Sequence, residues 1–308
     1  IACFVGYCFY YVTRKTLTYA APLVDIDKPL LGLCATMFNV MYGASKFFSG
    51  ALSDRVSPRK LFASGLAAVG VINVALAYCD AEWAFVALWA INGWFQGFGW
   101  PPCCKLLKNW YPPNERARVW AAVHVSMNVA TAASPFIVGV ASVVPMTVFG
   151  TPTMLSSGVR RGRIEDGDWR SGVALPGMLG LFVSWWLFRV LRDSPASEAD
   201  AAGAVAVRDA DGGDSDGVRR GDAEKGEGGA ELAAPRKSTV WDALGNKAVM
   251  ALCVCNLLAY VPRTAMADWS LLYLRETKGL STTVAASVFM WYEVGGLGGT
   301  LAAGWLSD

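Results

Sequence analysis

Eight apolar stretches, each of about twenty residues, dominate this chain, near 1–23, 30–52, 61–79, 83–107, 119–143, 172–191, 248–274 and 284–306. A run of that length is long enough to cross the hydrocarbon of a bilayer as an α-helix, with its backbone hydrogen bonds closed within the segment. The expected fold class is therefore an all-α membrane protein. Most aqueous segments between the runs are short, so the helices should pack as neighbours in a bundle. A hydrophobic content of 54% and a mean hydropathy of +0.35 agree with this. The formal net charge of only +2 gives no global field toward nucleic acid or an acidic partner.

Charge is segregated between the runs. Arg55, Arg59 and Lys60 follow the second span, and Lys105, Lys108, Arg116 and Arg118 surround the end of the fourth. Arg192, Arg208, Arg219, Arg220, Lys225, Arg236 and Lys237 follow the sixth. These three loops share one side of the membrane, which the excess of Lys and Arg assigns to the cytoplasm. The opposite loops are poorer, offering Lys28, Lys278 and the acidic Asp80 and Glu82. The exception is 144–171, where Arg160, Arg161, Arg163 and Arg170 stand among Glu165, Asp166 and Asp168. Residues 144–168 read as an insert with no assigned role.

Residues 193–238 are rich in Ala, Gly, Asp and Arg and nearly lack aromatics, so they cannot bury enough apolar surface to order themselves. They are expected to form a disordered cytoplasmic linker. It separates an N-terminal six-helix half, 1–192, from the first two helices of a second half, 239–308. An internal repeat supports that division: GALSDR at 50–55 recurs as GWLSD at 304–308, closing the second span of each half. Its glycine allows close helix approach, and its Asp can cap a helix or pair with the arginine that follows. Asp54 and Arg55 are thus gating or counter-charge candidates. The chain opens at Ile1 inside one apolar run and closes at Asp308 just after another. Four further helices are expected in the complete protein.

Two arginines stand inside apolar runs, Arg14 in FVGYCFYYVTRKTLTYAAPLV and Arg263 in CVCNLLAYVPRTAMADW. A guanidinium at membrane depth costs roughly 2.5–3.5 kcal/mol on insertion scales and keeps its proton, so it needs a polar or anionic partner. Each could snorkel to the interface. Their matched placement in the two halves favours an anionic cargo instead. Asp268 and Glu293, the acidic residues of the second-half spans, read as counter-charges of the empty site, as part of gating, or as a structural ion pair. The eight cysteines lack paired CxxC spacing and read as packing residues, with no metal site or cofactor expected. No paired nucleophile and base or nucleotide loop is visible, so an enzyme is not expected.

The strings YYVTRKT (10–16), YGASKFFSGALSDR (42–55), GWFQGFGWPPCCKLLKNWY (93–111), the Met127–Asn128 pair, RTAMADW (263–269) and EVGGLGGTLAAGWLSD (293–308) resemble the major facilitator superfamily. Within it they look most like the organophosphate:phosphate antiporters. FASGLAAVGVINVALAY, FVALWAINGW and VSMN are most similar to the glucose-6-phosphate branch of the endoplasmic reticulum. The resemblance implies the twelve-helix major facilitator fold, with about eight helices present. It also implies exchange of a sugar phosphate, glucose-6-phosphate first, for inorganic phosphate by alternating access. A hexose-phosphate sensor on the same fold and a glycerol-3-phosphate antiporter are the alternatives. The expected surroundings are membrane lipids, in the endoplasmic reticulum first and in a plastid envelope or another membrane otherwise.

By the same resemblance the phosphate-binding arginines fall on Arg14 and Arg263, the helix 2 lysine on Lys46, and site tyrosines on Tyr7, Tyr11, Tyr42 and Tyr260. Helical spacing agrees: Tyr7, Tyr11 and Arg14 share one face, as do Tyr42 with Lys46 and Tyr260 with Arg263. Lys15 lies about 100° round from Arg14 and should face elsewhere. Met127 stands where the glycerol-3-phosphate branch has a histidine, which makes it the selectivity candidate. His124, the single histidine, reads as a polar packing contact or a proton relay.

Overall fold

The computed structural model describes residues 1–24, 26–79, 81–143, 168–195 and 245–307. The insert expected at 144–168, apart from Asp168, and the linker expected at 193–238, apart from its first three residues, lie outside the described residues. Every described element is helical: α1 (Ala2–Ala20) with a following 3-10 turn (Ala21–Leu23), α2 (Lys28–Ser53), α3 (Pro58–Ala77), α4 (Glu82–Gln96), α5 (Trp100–Trp110), α6 (Pro113–Val143), α7 (Trp169–Val190), α8 (Lys247–Glu276) and α9 (Thr282–Ser307). Four of them, α3, α6, α7 and α8, are by length and composition alone apolar enough to cross a membrane. They fall into two compact units, Ile1–Glu198 with Trp269–Asp308, and Ala199–Asp268.

The expected spans and the helices agree closely, with two differences. The fifth span begins at Pro113, six residues before the expected 119, because the amphipathic start of the helix is too polar to register as apolar. The fourth, expected as one run over 83–107, is two helices, α4 and α5, separated by Gly97–Phe98–Gly99. Around this break the amides of Gly97, Phe98 and Gly99 bond three residues back, to Trp94, Phe95 and Gln96, at 3.1–3.2 Å. Pro101 and Pro102 then open α5 without N–H groups, which strips Gly97 and Phe98 of their ordinary helical donors. Two serines of α2 respond: Ser49 Oγ donates to the Gly97 carbonyl at 2.7 Å, and Ser45 Oγ donates to that of Trp94.

Within the first unit α3 packs along α7, α2 along α4, and α1 against α6 and α7. The α3–α7 crossing is close because Gly70 and Gly177 face one another. A Cβ on either would stand 2.8–2.9 Å from the other's carbonyl oxygen. Tyr10, Phe62, Leu66, Val69, Leu106 and Leu187 form the centre of the apolar core around α1. Two polar contacts fix α1 within it: Thr16 Oγ1 with Asn73 Oδ1 at 2.6 Å, and Gln96 Nε2 donating to Thr13 Oγ1 at 3.4 Å. These place α1 on either side of Arg14.

The ends of α3, α5 and α7 are tied together by the residues that follow α7. Asp193 accepts from Ser57 Oγ at 2.6 Å and from the Arg59 amide at 2.9 Å, at the N-terminus of α3. Arg59 donates to the Leu191 carbonyl at 3.1 Å, Asn109 to that of Asp193 at 3.1 Å, and Trp110 Nε1 to that of Arg192 at 2.9 Å. The first residue assigned to the linker is thus part of the helical packing.

Candidate functional site

The site is built on the facing stripes of α1 and α2. Arg14 is half-buried, and its guanidinium carbon lies 4.1 Å from the ring centroid of Tyr42, 5.3 Å from that of Phe38 and 5.6 Å from that of Tyr11. Lys46, one turn after Tyr42, holds Nζ 4.2 Å from the same Tyr42 centroid. One aromatic ring therefore serves two cations. Phenyl faces carry negative quadrupole charge, so each contact is attractive, and desolvation strengthens it.

Tyr7 extends the aromatic surface: its ring is 5.3 Å from Tyr11 and 5.0 Å from Trp100, whose edge meets His124 at 5.7 Å. The structure thus brings together Tyr7, Tyr11, Arg14, Tyr42 and Lys46. It leaves Tyr7 and Tyr11 buried, in the same apolar cluster as Met127, which is 3% exposed. His124 packs against the indole of Trp100. On α8, within the second unit, the Arg263 guanidinium lies 5.7 Å from the Tyr260 ring, so the i, i+3 pairing expected there is present.

Lys15 turns away from Arg14 yet reaches neither lipid nor water, since it is only 8% exposed. Glu293 on α9 is 4% exposed. Tyr19, one turn beyond Lys15, meets Phe289, one turn before Glu293, at 5.8 Å.

Asp54 departs from the expected pairing. It is the C-cap of α2, its partner is Lys105 Nζ on α5 at 2.6 Å and not Arg55, and the N-cap of α3 is Ser57. Lys105 also donates to the Ser53 carbonyl at 2.7 Å, closing the end of α2. The hydrogen bond and charge of Lys105 hold the Asp54 carboxyl below the usual carboxylate range, with Lys108 adding to the effect. At the other end of the bundle, Lys28 at the start of α2 pairs with Glu276 at the end of α8 at 2.6 Å.

Sequence reasoning missed Phe38, Trp89 and Trp100 at the site. Phe38 is 5% exposed, stacks on Tyr42 with centroids 6.1 Å apart, and rests on Trp89 at 5.4 Å. An apolar residue one turn before Tyr42 carries no signal beyond its i, i+4 spacing.

Comparison with known proteins bears on these features together. The chain is 36% identical over 311 residues to a probable hexose phosphate transport protein of Chlamydia muridarum, covering 99% of this chain and 62% of that protein. It is 34% identical over 312 residues to the membrane sensor protein UhpC of Salmonella typhimurium, covering 100% of this chain and 63% of that protein. It is 27% identical over 319 residues to a glycerol-3-phosphate transporter of Bacillus subtilis, covering 100% and 64%. The chain therefore spans under two thirds of the length of these relatives. Its fold is similar to an inward-facing, unoccupied structure of a bacterial homologue of the human lysosomal transporter Spinster. The TM-score there is 0.65 at 16% identity, over 92% of this chain and 56% of that one. The Major Facilitator Superfamily model matches residues 3–308. The chain accordingly belongs to the Major Facilitator Superfamily, as an integral, multi-pass membrane protein of all-α fold.

Proposed function

We propose that this chain forms the larger part of a carrier that exchanges a sugar phosphate, glucose-6-phosphate first, for inorganic phosphate by alternating access. The observation that carries the reading is the pair of cations, Arg14 and Lys46, gathered on one Tyr42 ring within a membrane bundle. The guanidinium edge presents paired N–H donors to two phosphate oxygens, and Lys46 adds a compact charge. Arg263 supplies the second guanidinium from the other half, with Tyr260 beside it. A phosphate held by both halves sits where carriers of this architecture bind substrate and about which their halves rock. Tyr7, Tyr11 and Tyr42 offer hydroxyls to the remaining oxygens or to the sugar.

Exchange follows from charge. Clustered cations resist closure over an empty site, and either phosphate or its ester relieves them, so each ligand lowers the barrier by its differential affinity for the closed state. Glu293, which is buried, supplies counter-charge with Asp268. The apolar Met127 lacks the hydrogen bond that would select glycerol-3-phosphate, which favours glucose-6-phosphate. This reading keeps the endoplasmic reticulum as the first location. A second reading, a hexose-phosphate sensor, is supported by the likeness to the membrane sensor protein.

Counterflow of labelled phosphate into vesicles holding the full-length carrier tests both. Rapid exchange, competed better by glucose-6-phosphate than by glycerol-3-phosphate, supports the antiporter; saturable binding without flux supports the sensor. Arg14→Lys or Arg263→Lys keeps charge but loses the fork and should abolish most phosphate affinity. Near-normal exchange in both variants overturns the site.

A further inference from the structure

We propose that the seam between α3 and α7 binds an acidic phospholipid, with the lipid phosphate between Lys60 and Arg189 and one acyl chain laid along the two helices. The seam has a fixed register. Ser184 Oγ donates to the Ala63 carbonyl at 2.8 Å; seven residues further along α3, Gly70 faces Gly177, seven residues earlier in α7. The helices therefore run antiparallel, and Lys60, three residues before Ala63, lies level with Leu187 in the last turn of α7. α1 covers one flank of the seam, where Leu66 of α3 and Val183 of α7 enter the apolar core. The opposite flank carries exposed side chains, Lys60, Ser64 and Val71 from α3 and Trp185 and Arg189 from α7. Each set follows the helical repeat and so forms one stripe.

Two observations select the occupant. The first is charge. Arg189 holds its guanidinium carbon 5.2 Å from the Trp185 ring centroid, and among the described residues neither Arg189 nor Lys60 pairs with a carboxylate. The acid that follows α7, Asp193, is taken up by Ser57 Oγ and the Arg59 amide. Arg59 and Arg192 add further positive charge at this end. An anionic headgroup neutralises such an end, whereas a zwitterionic one leaves it charged. The second observation is length. From Lys60 to Val71 the α3 stripe rises about 16 Å, which matches one leaflet of a hydrocarbon core about 30 Å thick. Charge stands at its mouth and apolar surface along the rest. Trp185 lies one turn below Arg189, the level at which an indole meets the membrane interface, and the exposed Phe182 continues it with ring centroids 5.9 Å apart. A soluble anion gains nothing from that apolar length; an acyl chain does.

The inference stands apart from the exchange reading, since none of its residues belongs to the Arg14–Lys46 site. The test uses the purified full-length protein in mixed micelles, with retained lipid counted by native mass spectrometry. Phosphatidylglycerol should be retained in preference to phosphatidylcholine of the same acyl chains. Lys60→Gln and Arg189→Gln should each lower that preference on the order of fivefold, whereas Lys60→Arg and Arg189→Lys, which keep the charge, should preserve it. Val71→Trp leaves both cations in place but fills the seam, and should weaken retention of both lipids. Arg118→Gln removes an exposed charge from α6, which is not a seam helix, and should leave the preference intact. Equal retention of the two lipids by the wild type overturns the inference. So does a loss in Arg118→Gln as large as that in Lys60→Gln, because attraction is then diffuse and no site exists. Displacement of phosphatidylglycerol by inorganic phosphate overturns it as well, by making the occupant a soluble anion.

Discussion

Truncating Asp193 to alanine should destabilise the helical bundle without touching ligand affinity. The carboxylate accepts two hydrogen bonds at the N-terminus of α3, from Ser57 Oγ at 2.6 Å and the Arg59 amide at 2.9 Å. A hydrogen bond to a charged group contributes about 1.5–3 kcal/mol, and loss of a helix cap costs about 0.5–2 kcal/mol. Asp193 is half-buried, so water replaces part of what is removed. Ser57 Oγ continues to accept from the Lys60 amide at 3.3 Å. The net loss should therefore be about 2 kcal/mol, the middle of those ranges. For a unit of this size that corresponds to a fall of about 4–8 °C in Tm. Thermal unfolding of the purified full-length carrier in detergent, followed by tryptophan fluorescence, measures it. Asp193→Asn keeps an acceptor and should lose about half as much. Ser57→Ala combined with Asp193→Ala should cost less than the sum, since the two residues share one cap. A Tm within about 1 °C of wild type for Asp193→Ala, or strict additivity in the double variant, would refute this account of how the end of α7 is fastened.

Lys105→Met should remove the acid dependence that Asp54 brings. A carboxyl depressed in the folded state stabilises above its ordinary pKa of about 3.9 and loses that contribution as pH falls through the lower folded value. The wild-type chain should therefore lose this small increment only below about pH 4, and acid unfolding curves of wild type and variant should converge there. The effect is limited because the Asp54 side chain is 74% exposed. Reversing either Lys28 or Glu276 should change the exchange rate by up to about fivefold, and swapping both should restore it; independent, additive effects would deny the pair a role in closing that end of the bundle. Deletion of 200–232 should leave exchange intact, because a segment of that composition is expected only to span the two halves; loss of phosphate binding in an inserted deletion variant would make the segment regulatory.

Span positions and the cationic stripes were legible because both depend on local periodicity. A bilayer demands long apolar helices, and Tyr7, Tyr11 and Arg14 need only the helical repeat to share a face. The break between α4 and α5 escaped because mean hydropathy over 83–107 is blind to backbone donors, although Gly97, Gly99, Pro101 and Pro102 spelled it out. The partners of Asp54 and Asp193 escaped for another reason. Lys105 stands 51 residues from Asp54, and Ser57 stands 136 residues from Asp193, so only the packed bundle brings them together. Asp193 in particular reads as the first residue of a polar linker, since nothing in its neighbourhood announces a helix end three spans earlier in the chain. Phe38 was invisible in a third way: its chemistry is that of any core phenylalanine, and its importance lies in what lies across from it.

The serine-patched break in the fourth span bears on how this protein enters the membrane at all. α4 has 15 residues and α5 has 11, each short of the roughly twenty that cross hydrocarbon. In lipid an open carbonyl costs several kcal/mol, and the donor that closes that of Gly97 belongs to α2. The fourth span is therefore not a self-sufficient insertion unit. It can settle only beside α2, which synthesis delivers two spans earlier, so biogenesis of this half is collective: α2 serves as an internal chaperone for a later helix. A serine-to-alanine change at 49 would then show itself first as failed membrane integration of the nascent chain, before any question of transport arises.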